Sequence, residues 1–365
     1  MRKILKVNVC NPDNDLHTEL TLSASPYTVL DALERLQLDR ETSPEWYVAD
    51  RTPIKDLGRH IGYDGSLFEL NALCQRLAVL DGPELTIVEG LAKMSGTPAA
   101  PLIPLPGLID MAYSTDRCHL VEEATNDYTL GRFAAGNGFV PEADDLSDEA
   151  FELLDFARIG REFRQNEGGV FTSGGYVQKH DELRQVYETL DLSPKAPDYA
   201  ILVETASGRQ VRLPIPPAKT VVNEPVQCLD CAAPALTGLT GMLGIWDILA
   251  QRLAELEVDG ELVKYKAVLA AAECDDLCGA LALADELDQY TLLPELCGPD
   301  EAALAHLEQI LPEQEVRRML PHVNLWKYGQ AMIQEMGGQF TGYGLVQPNG
   351  GEQELQTTQS GMEMM

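Results

Sequence analysis

Positive charge is scarce in this sequence. Its 365 residues hold 27 Lys and Arg against 58 Asp and Glu, a formal net charge of −31. Such a chain repels nucleic acid, anionic lipid and most acidic macromolecules at ordinary salt, which excludes direct nucleic-acid and membrane-surface binding. Its natural partners are cations, metal ions or basic proteins. Long apolar runs are missing too: no stretch approaches the ~18–20 apolar residues that span a bilayer. The opening "MRKILKVNVCNP" is interrupted by Lys6 and Asn8 and reads as a β-strand rather than a signal peptide. Aromatic residues make up only 6%, yet apolar residues reach 45%, which is a globular composition. The length fits two to three domains.

Catalytic signatures are absent as well. The six histidines (His17, His60, His119, His180, His306, His322) are dispersed, with no HExxH. No GxGxxG, GxxxxGK[ST] or nucleophile elbow occurs. "NPDND" lacks the glycine and closing glutamate of a calcium loop. The eight cysteines are scattered, which favours reduced thiols in a cytoplasmic protein. "CLDC" (228–231) and "CDDLC" (274–278) could together offer Cys228, Cys231, Cys274 and Cys278 to zinc, but the first half of the chain has no such pairs. The Leu-Asp between Cys228 and Cys231 disfavours a redox thiolate. Carboxylate pairs such as Asp285/Asp288 arise by chance among 58 acids. No catalytic, cofactor or metal residue is therefore assigned. Trp46, Trp246 and Trp326 are read as core, the last two from the apolar helical patterns around them.

What is present is a repeat. Residues 168–177, "GGVFTSGGYV", return as "GGQFTGYGLV" at 337–346, identical at six of ten positions. Upstream, "LLDFARIGREFRQNE" (153–167) matches "HVNLWKYGQAMIQEM" (322–336) through Gly160/Gly329 and apolar positions three and four apart, one helical face. "LIDMAYSTDRCHL" (108–120) matches "ALALADELDQYTL" (280–292). "LNALCQRLAVLDGPEL" (70–85) matches "WDILAQRLAELEVDGEL" (246–262), and both predict amphipathic helices. Each series opens on a predicted hairpin, turning at "NPDND" in the first and "ASGR" in the second. The spacing predicts an α+β tandem duplication, elongated. Each unit is a β-hairpin or small sheet followed by acidic helical segments: a first unit at 1–180, a linker at 181–198, a second unit at 199–348 and a disordered tail at 349–365. The paired glycines predict a left-handed helix cap, and Gly175/Gly344 a bend in an extended segment.

The acids are distributed through both units. Residues 1–180 count 16 basic against 29 acidic, and 181–365 count 11 against 29. The stretch 267–316 holds twelve acids and no Lys or Arg. It includes Asp275, Asp276, Asp285, Glu286, Asp288, Glu295, Asp300, Glu301 and Glu308. A second stretch, 133–157, holds seven acids, Asp155 and the six Glu142, Asp144, Asp145, Asp148, Glu149 and Glu152, again without a basic residue. An ordinary solvated helix face mixes signs, because i,i+4 pairs stabilise it. Two readings stand here: an acidic surface kept for solubility, or one kept for its field. By charge count alone, thirty-one excess charges correspond to roughly 50 Å of duplex DNA, about fifteen base pairs.

"LADELDQYTLLPELCGPDE" and the two closings "LLDFARIGREFRQNEGGVFTSGGYV" and "NLWKYGQAMIQEMGGQFTGYGLV" give the chain a resemblance to the ArdA-type antirestriction proteins. More closely, it resembles the longer ArdA-like proteins of conjugative elements in gut Firmicutes. One departure is Glu122, which stands in the first unit where Pro294 stands in the second. The resemblance implies a DNA mimic without catalytic residues or cofactor. Such a protein occupies the DNA-binding cleft of type I restriction–modification enzymes through the acidic residues named above. It also implies a homodimer or, given the doubled length, a pseudo-dimeric monomer. From other classes come an acidic accessory or scaffold protein of a mobile element that binds a basic partner, and an unrecognised enzyme.

Overall fold

A computed structural model describes residues 2–350 apart from 15, 39–42, 55, 97–101, 145, 193–194 and 217–221. The chain is mixed α+β, with small antiparallel sheets beside short helices, and forms two compact units. One comprises Met1–Val9, Glu19–Ala24 and Ser43–Pro194; the other comprises Cys10–Thr18, Ser25–Thr42 and Lys195–Met365. The tail beyond residue 350 lies outside the described residues. Among the described residues no helix is long and apolar enough to cross a membrane.

The chain opens with β1 (Leu5–Cys10) and β2 (His17–Leu22), the hairpin expected around "NPDND". Helix α1 (Pro26–Arg35) follows, and although it precedes β3 (Glu45–Asp50) in sequence it belongs to the second unit. The first sheet is ordered β2-β1-β3. Two 3-10 turns, Thr52–Ile54 and Leu57–Arg59, lead to α2 (Leu67–Val79) and α3 (Gly82–Ser95). The segment 70–85 thus spans two helices. Asp81 accepts from the Glu84 N–H at 2.8 Å and Glu84 reaches back to the Asp81 N–H, so a new helix starts where the first stops. Leu70, Leu73 and Leu77 are buried on α2, as their spacing predicts. Next come α4 (Leu105–Ala112), β4 (Cys118–Val121), α5 (Asp127–Gly136), the short α6 (Asp148–Phe151), α7 (Phe156–Glu167), β5 (Val170–Thr172) and β6 (Gly175–Lys179). Residues 184–187 are held on the first unit: the Asp110 carboxylate accepts from the Val186 and Tyr187 N–H groups at 2.7 and 2.8 Å.

In the second unit β7 (Ile201–Thr205) and β8 (Gln210–Leu213) form the expected hairpin. With β9 (Pro225–Cys231) and β10 (Thr240–Met242) they make a sheet ordered β10-β9-β7-β8. A 3-10 turn, Pro234–Leu236, leads to α8 (Leu243–Val258), α9 (Leu262–Ala271) and α10 (Leu277–Asp285). Then come β11 (Tyr290–Leu293), α11 (Pro299–Ile310), α12 (Glu313–Met319), α13 (Leu325–Glu335), β12 (Gln339–Thr341) and β13 (Gly344–Pro348). Trp246 is fully buried with Leu249, Leu253 and Leu256, and Trp46 is buried in the first unit. Trp326 is not core: it is 53% exposed. The buried face of α13 is Gly329, Met332 and Ile333, and at 100° per residue Trp326 falls on the edge of that stripe, in the first turn.

The two closing segments share their geometry bond for bond. The sheets are ordered β4-β6-β5 and β11-β13-β12. Phe171 faces Tyr176 and Thr172 faces Gly175 in one; Phe340 faces Leu345 and Thr341 faces Gly344 in the other. Gly168 and Gly337 follow the helices at φ 70 and φ 69, the left-handed caps that the paired glycines predict. Gly175 and Gly344 also have positive φ, and a Cβ on either would lie 2.5 Å from the carbonyl oxygen of Val121 or Leu293. The threonine hydroxyl donates to the carbonyl of that glycine at 2.8 and 2.9 Å. Glu122 and Pro294 occupy matching places, their Cα atoms 2.8 and 2.6 Å from those ideal Cβ positions. The exchange therefore leaves the loop's course unchanged.

Gly160 and Gly329 mark a second shared feature. They lie where α7 crosses α5 and where α13 crosses α11. A Cβ on Gly160 would stand 1.8 Å from the Asp127 carbonyl oxygen, and one on Gly329 1.7 Å from that of Pro299. Only glycine allows backbone to meet backbone there. Asp155 and Asn324 cap the two helices alike, each accepting from the N–H three residues on at 3.0 Å.

Candidate acidic interface

Helix starts and helix-connecting turns carry the acids, where a carboxylate also favours the positive end of the helix dipole. Glu142 and Asp144 lie on the turn after α5, and Asp148 and Glu149 begin α6 with Glu152 just past it. Asp275 and Asp276 precede α10, which Asp285 ends and Glu286 follows. Asp288 and Glu295 flank β11, Asp300 and Glu301 form the first turn of α11, and Glu308 lies near its end. All fourteen are exposed. Asp145 lies outside the described residues.

Few of these acids are neutralised. Glu152 takes both guanidinium arms of Arg132, at 2.6 and 3.1 Å, and Asp285 stands 3.6 Å from Arg252. Asp276 accepts from the Cys278 and Gly279 N–H groups at 2.9 Å, and Glu301 from the Cys297 and Gly298 N–H groups at 2.7 and 3.1 Å. Among the described residues twelve of the fourteen, all but Glu152 and Asp285, form no ion pair. The first cluster is bordered by Arg132, Arg158, Arg161 and Arg164 on α5 and α7, cations that lie just outside the window 133–157. The second window is likewise bordered by Lys264, Lys266, Arg317 and Arg318, of which Lys266 is buried.

The cysteine pairs are set apart by environment. Cys228 and Cys231 are buried in β9, where burial pushes the Cys231 thiol well up; Cys274 is half-buried and Cys278 exposed. Among the described residues no three His, Cys, Asp or Glu side chains gather in a metal-holding group.

Sequence reasoning missed a buried charge cluster. Lys266, on α9, is 3% exposed. Its ammonium meets the Glu34 carboxylate and stands 3.7 Å from Asp31, both on α1. Tyr343 donates to Asp31 at 2.5 Å, and Arg35 reaches the Tyr343 hydroxyl at 3.2 Å and Asp31 at 2.8 Å. Burial raises the Glu34 pKa against the pull of Lys266. Burial disfavours the Arg35 cation, but Asp31 and Tyr343 outweigh it and hold its pKa up. Tyr27 and Leu30 join the apolar core of the same unit, so the stripe 27, 30, 31, 34, 35 seats α1 against β9, the Pro234–Leu236 turn and α9. The available signal was Lys266 itself, a cation directly before the apolar run "AVLAA" (267–271).

The first unit holds a cavity of about 250 Å³. Thr52, Ile54, Asp56 and Leu57 line it from the 3-10 turns, Leu85, Thr86 and Glu89 from α3, and Ser173 from the β5–β6 turn. Glu89 is 8% exposed; Lys93 stands 2.5 Å from its Oε1, which takes no well-angled hydrogen bond.

No protein-family model matches the chain, and no curated protein matches it.

Proposed function

We propose that the chain is an antirestriction protein of the ArdA type, a DNA mimic that occupies the DNA-binding cleft of type I restriction–modification enzymes in the cytoplasm. One observation carries this reading: every described member of the two acidic clusters is exposed, and twelve of the fourteen have no cation within ion-pair distance among the described residues. Carboxylates held at rigid helix starts and left uncompensated offer a basic cleft the charge it would find on phosphates. Solubility alone would be served as well by a surface of mixed sign.

The chain is, on this reading, a tandem duplication. In the closing segments strand order, ladder register, helix caps and crossing glycines recur at offsets near 170, and two elements depart. One is β10, a fourth strand that the first repeat's opening sheet lacks among the described residues. The other is α1, which the first repeat has between its second and third strands, where the second repeat, among its described residues, has no helix. The duplication extends the acidic surface; it adds no active site.

The test is competition. A type I methyltransferase core is held on a fluorescent duplex, the protein is added, and anisotropy is followed at several salt concentrations. Displacement that weakens steeply with salt is the expected result. Replacing Asp275, Glu286, Asp288, Asp300 and Glu308 by their amides should then weaken displacement cumulatively and flatten the salt dependence. Absence of displacement at low salt by the folded protein refutes the proposal.

A further inference from the structure

The α1 seat of the second unit has a counterpart in the first. Aligned on the Glu84-Leu85 and Glu261-Leu262 pairs, with Pro83 as a one-residue insertion after the Asp-Gly turn, Leu85 matches Leu262, Val88 matches Tyr265 and the buried Glu89 matches the buried Lys266. Both helices lie against their closing hairpin, α3 on β5 and β6, α9 on β12 and β13. At the hairpin turn Ser173 matches Gly342 and Gly174 matches Tyr343. These are the places that meet Arg35 and Asp31 in the second unit. The 3-10 turns after β3 match the Pro234–Leu236 turn on which α1 rests. Where the second unit has α1, the first has the cavity floored by Glu89, and where Tyr343 stands the first has Gly174, with the Thr86 hydroxyl 2.6 Å from its ideal Cβ position.

We propose that this cavity is the docking seat for one α-helix of a partner protein, a helix whose buried stripe carries Lys or Arg. The helical form follows from α1, which is the occupant of the matching seat. The charge follows from the floor: Lys266 receives the acids Asp31 and Glu34, and Glu89 in its place calls for a cation. That same exchange disfavours α1 of a second copy, which would bring Asp31 and Glu34 onto Glu89. The volume falls below the roughly 300–1,000 Å³ of small-molecule sites and suits side chains from a helix face. Lys93, the present neighbour of Glu89, is about a third exposed and can swing outward as a buried cation arrives. The proposal rests on the repeat reading and is independent of which enzyme the acidic surface meets.

The test uses the full-length protein with methyl groups labelled for NMR and two helix-stabilised peptides covering residues 24–38. One has the native sequence; the other carries Asp31→Lys and Glu34→Lys. The basic peptide should move the methyl resonances of Ile54, Leu57 and Leu85 and bind at least about tenfold more tightly than the native sequence. Glu89→Lys should reverse that order. Ser173→Trp, at an exposed turn position that leaves Glu89 in place, should abolish binding even if the Glu89 variant fails to fold. The proposal is overturned if the basic peptide leaves those methyls unmoved at about 1 mM, or if the native sequence binds as well. Shifts confined to other methyls would break the surface correspondence itself. Failed DNA competition beside shifted cavity methyls would remove the antirestriction reading and leave the docking seat standing.

Discussion

Replacing Gly160 or Gly329 by alanine adds one methyl group at a point where two helices meet backbone to backbone. The ideal Cβ stands 1.8 Å from the Asp127 oxygen at one crossing and 1.7 Å from the Pro299 oxygen at the other. A tolerable contact is about 3 Å, so the helices must part by more than about 1 Å, and interiors at crystalline density resist that. Overpacking of this kind costs typically about 1–3 kcal/mol, and a clash with backbone belongs at the upper end. Alanine's helix propensity returns about 1 kcal/mol. The net expectation is about 2 kcal/mol lost for each variant.

Urea unfolding followed by circular dichroism reads the loss, with Gly82→Ala as the control. A Cβ on Gly82 meets nothing within 4 Å, so that variant should unfold at the wild-type midpoint or slightly above it. The reasoning requires Gly160→Ala and Gly329→Ala to fall clearly below the control. If all three share one midpoint, the crossings yield without cost and close backbone contact is not why glycine stands there. A loss at Gly160 without one at Gly329 would break the equivalence of the two crossings and weaken the duplication with it.

Lys266→Met removes the cation from the α1 seat and leaves two carboxylates facing an apolar side chain, which should cost about 3 kcal/mol; buried Trp246 reports the loss by fluorescence, and an unchanged midpoint would mean that α1 is held by its apolar residues alone. Asp155→Ala and Asn324→Ala should each cost about 1 kcal/mol by removing matching helix caps, read by the same unfolding assay. His306, beside the Tyr328 hydroxyl at 2.7 Å, has its pKa lowered by burial. The unfolded chain therefore takes up that proton first, so the contribution is present above about pH 6.5 and is lost as pH falls below it. His306→Gln should flatten the fall in unfolding midpoint between about pH 7.5 and 5, and an unaltered slope would assign that fall to other groups.

Much of the fold was legible because its signals are local. Left-handed caps need Gly168 and Gly337, and apolar residues three and four apart place Leu70, Leu73 and Leu77 on one face, so those readings required no knowledge of distant partners. The α1 seat was illegible for the opposite reason. Glu34 and Lys266 stand 232 residues apart, and α1 leaves the strands it follows in sequence for the second unit. Trp326 shows the same limit in miniature: periodicity marks an apolar stripe but not how far a neighbour covers its first turn. The positions of the acids could be read, but not their pairing. Arg132 turns Glu152 into a bidentate partner from twenty residues away, and no window confined to 133–157 contains that arginine.

A chain at −31 must also resist its own repulsion, and the placement of its few cations suggests how. At least seventeen of the 27 Lys and Arg residues stand within ion-pair distance of a carboxylate. Most exposed pairs contribute little to stability. The consequential cations are those that join helices: Arg35 and the buried Lys266 fasten α1, and Arg164 ties α7 to Asp127 on α5 at 2.9 Å. Cations used at helix junctions are unavailable at helix starts, so the economy that stabilises the framework also leaves its outer carboxylates unneutralised. On the proposed function the scarcity of positive charge then has two effects with one cause: a scaffold stiff enough to present carboxylates in fixed places, and a surface on which nothing cancels them before a basic cleft does.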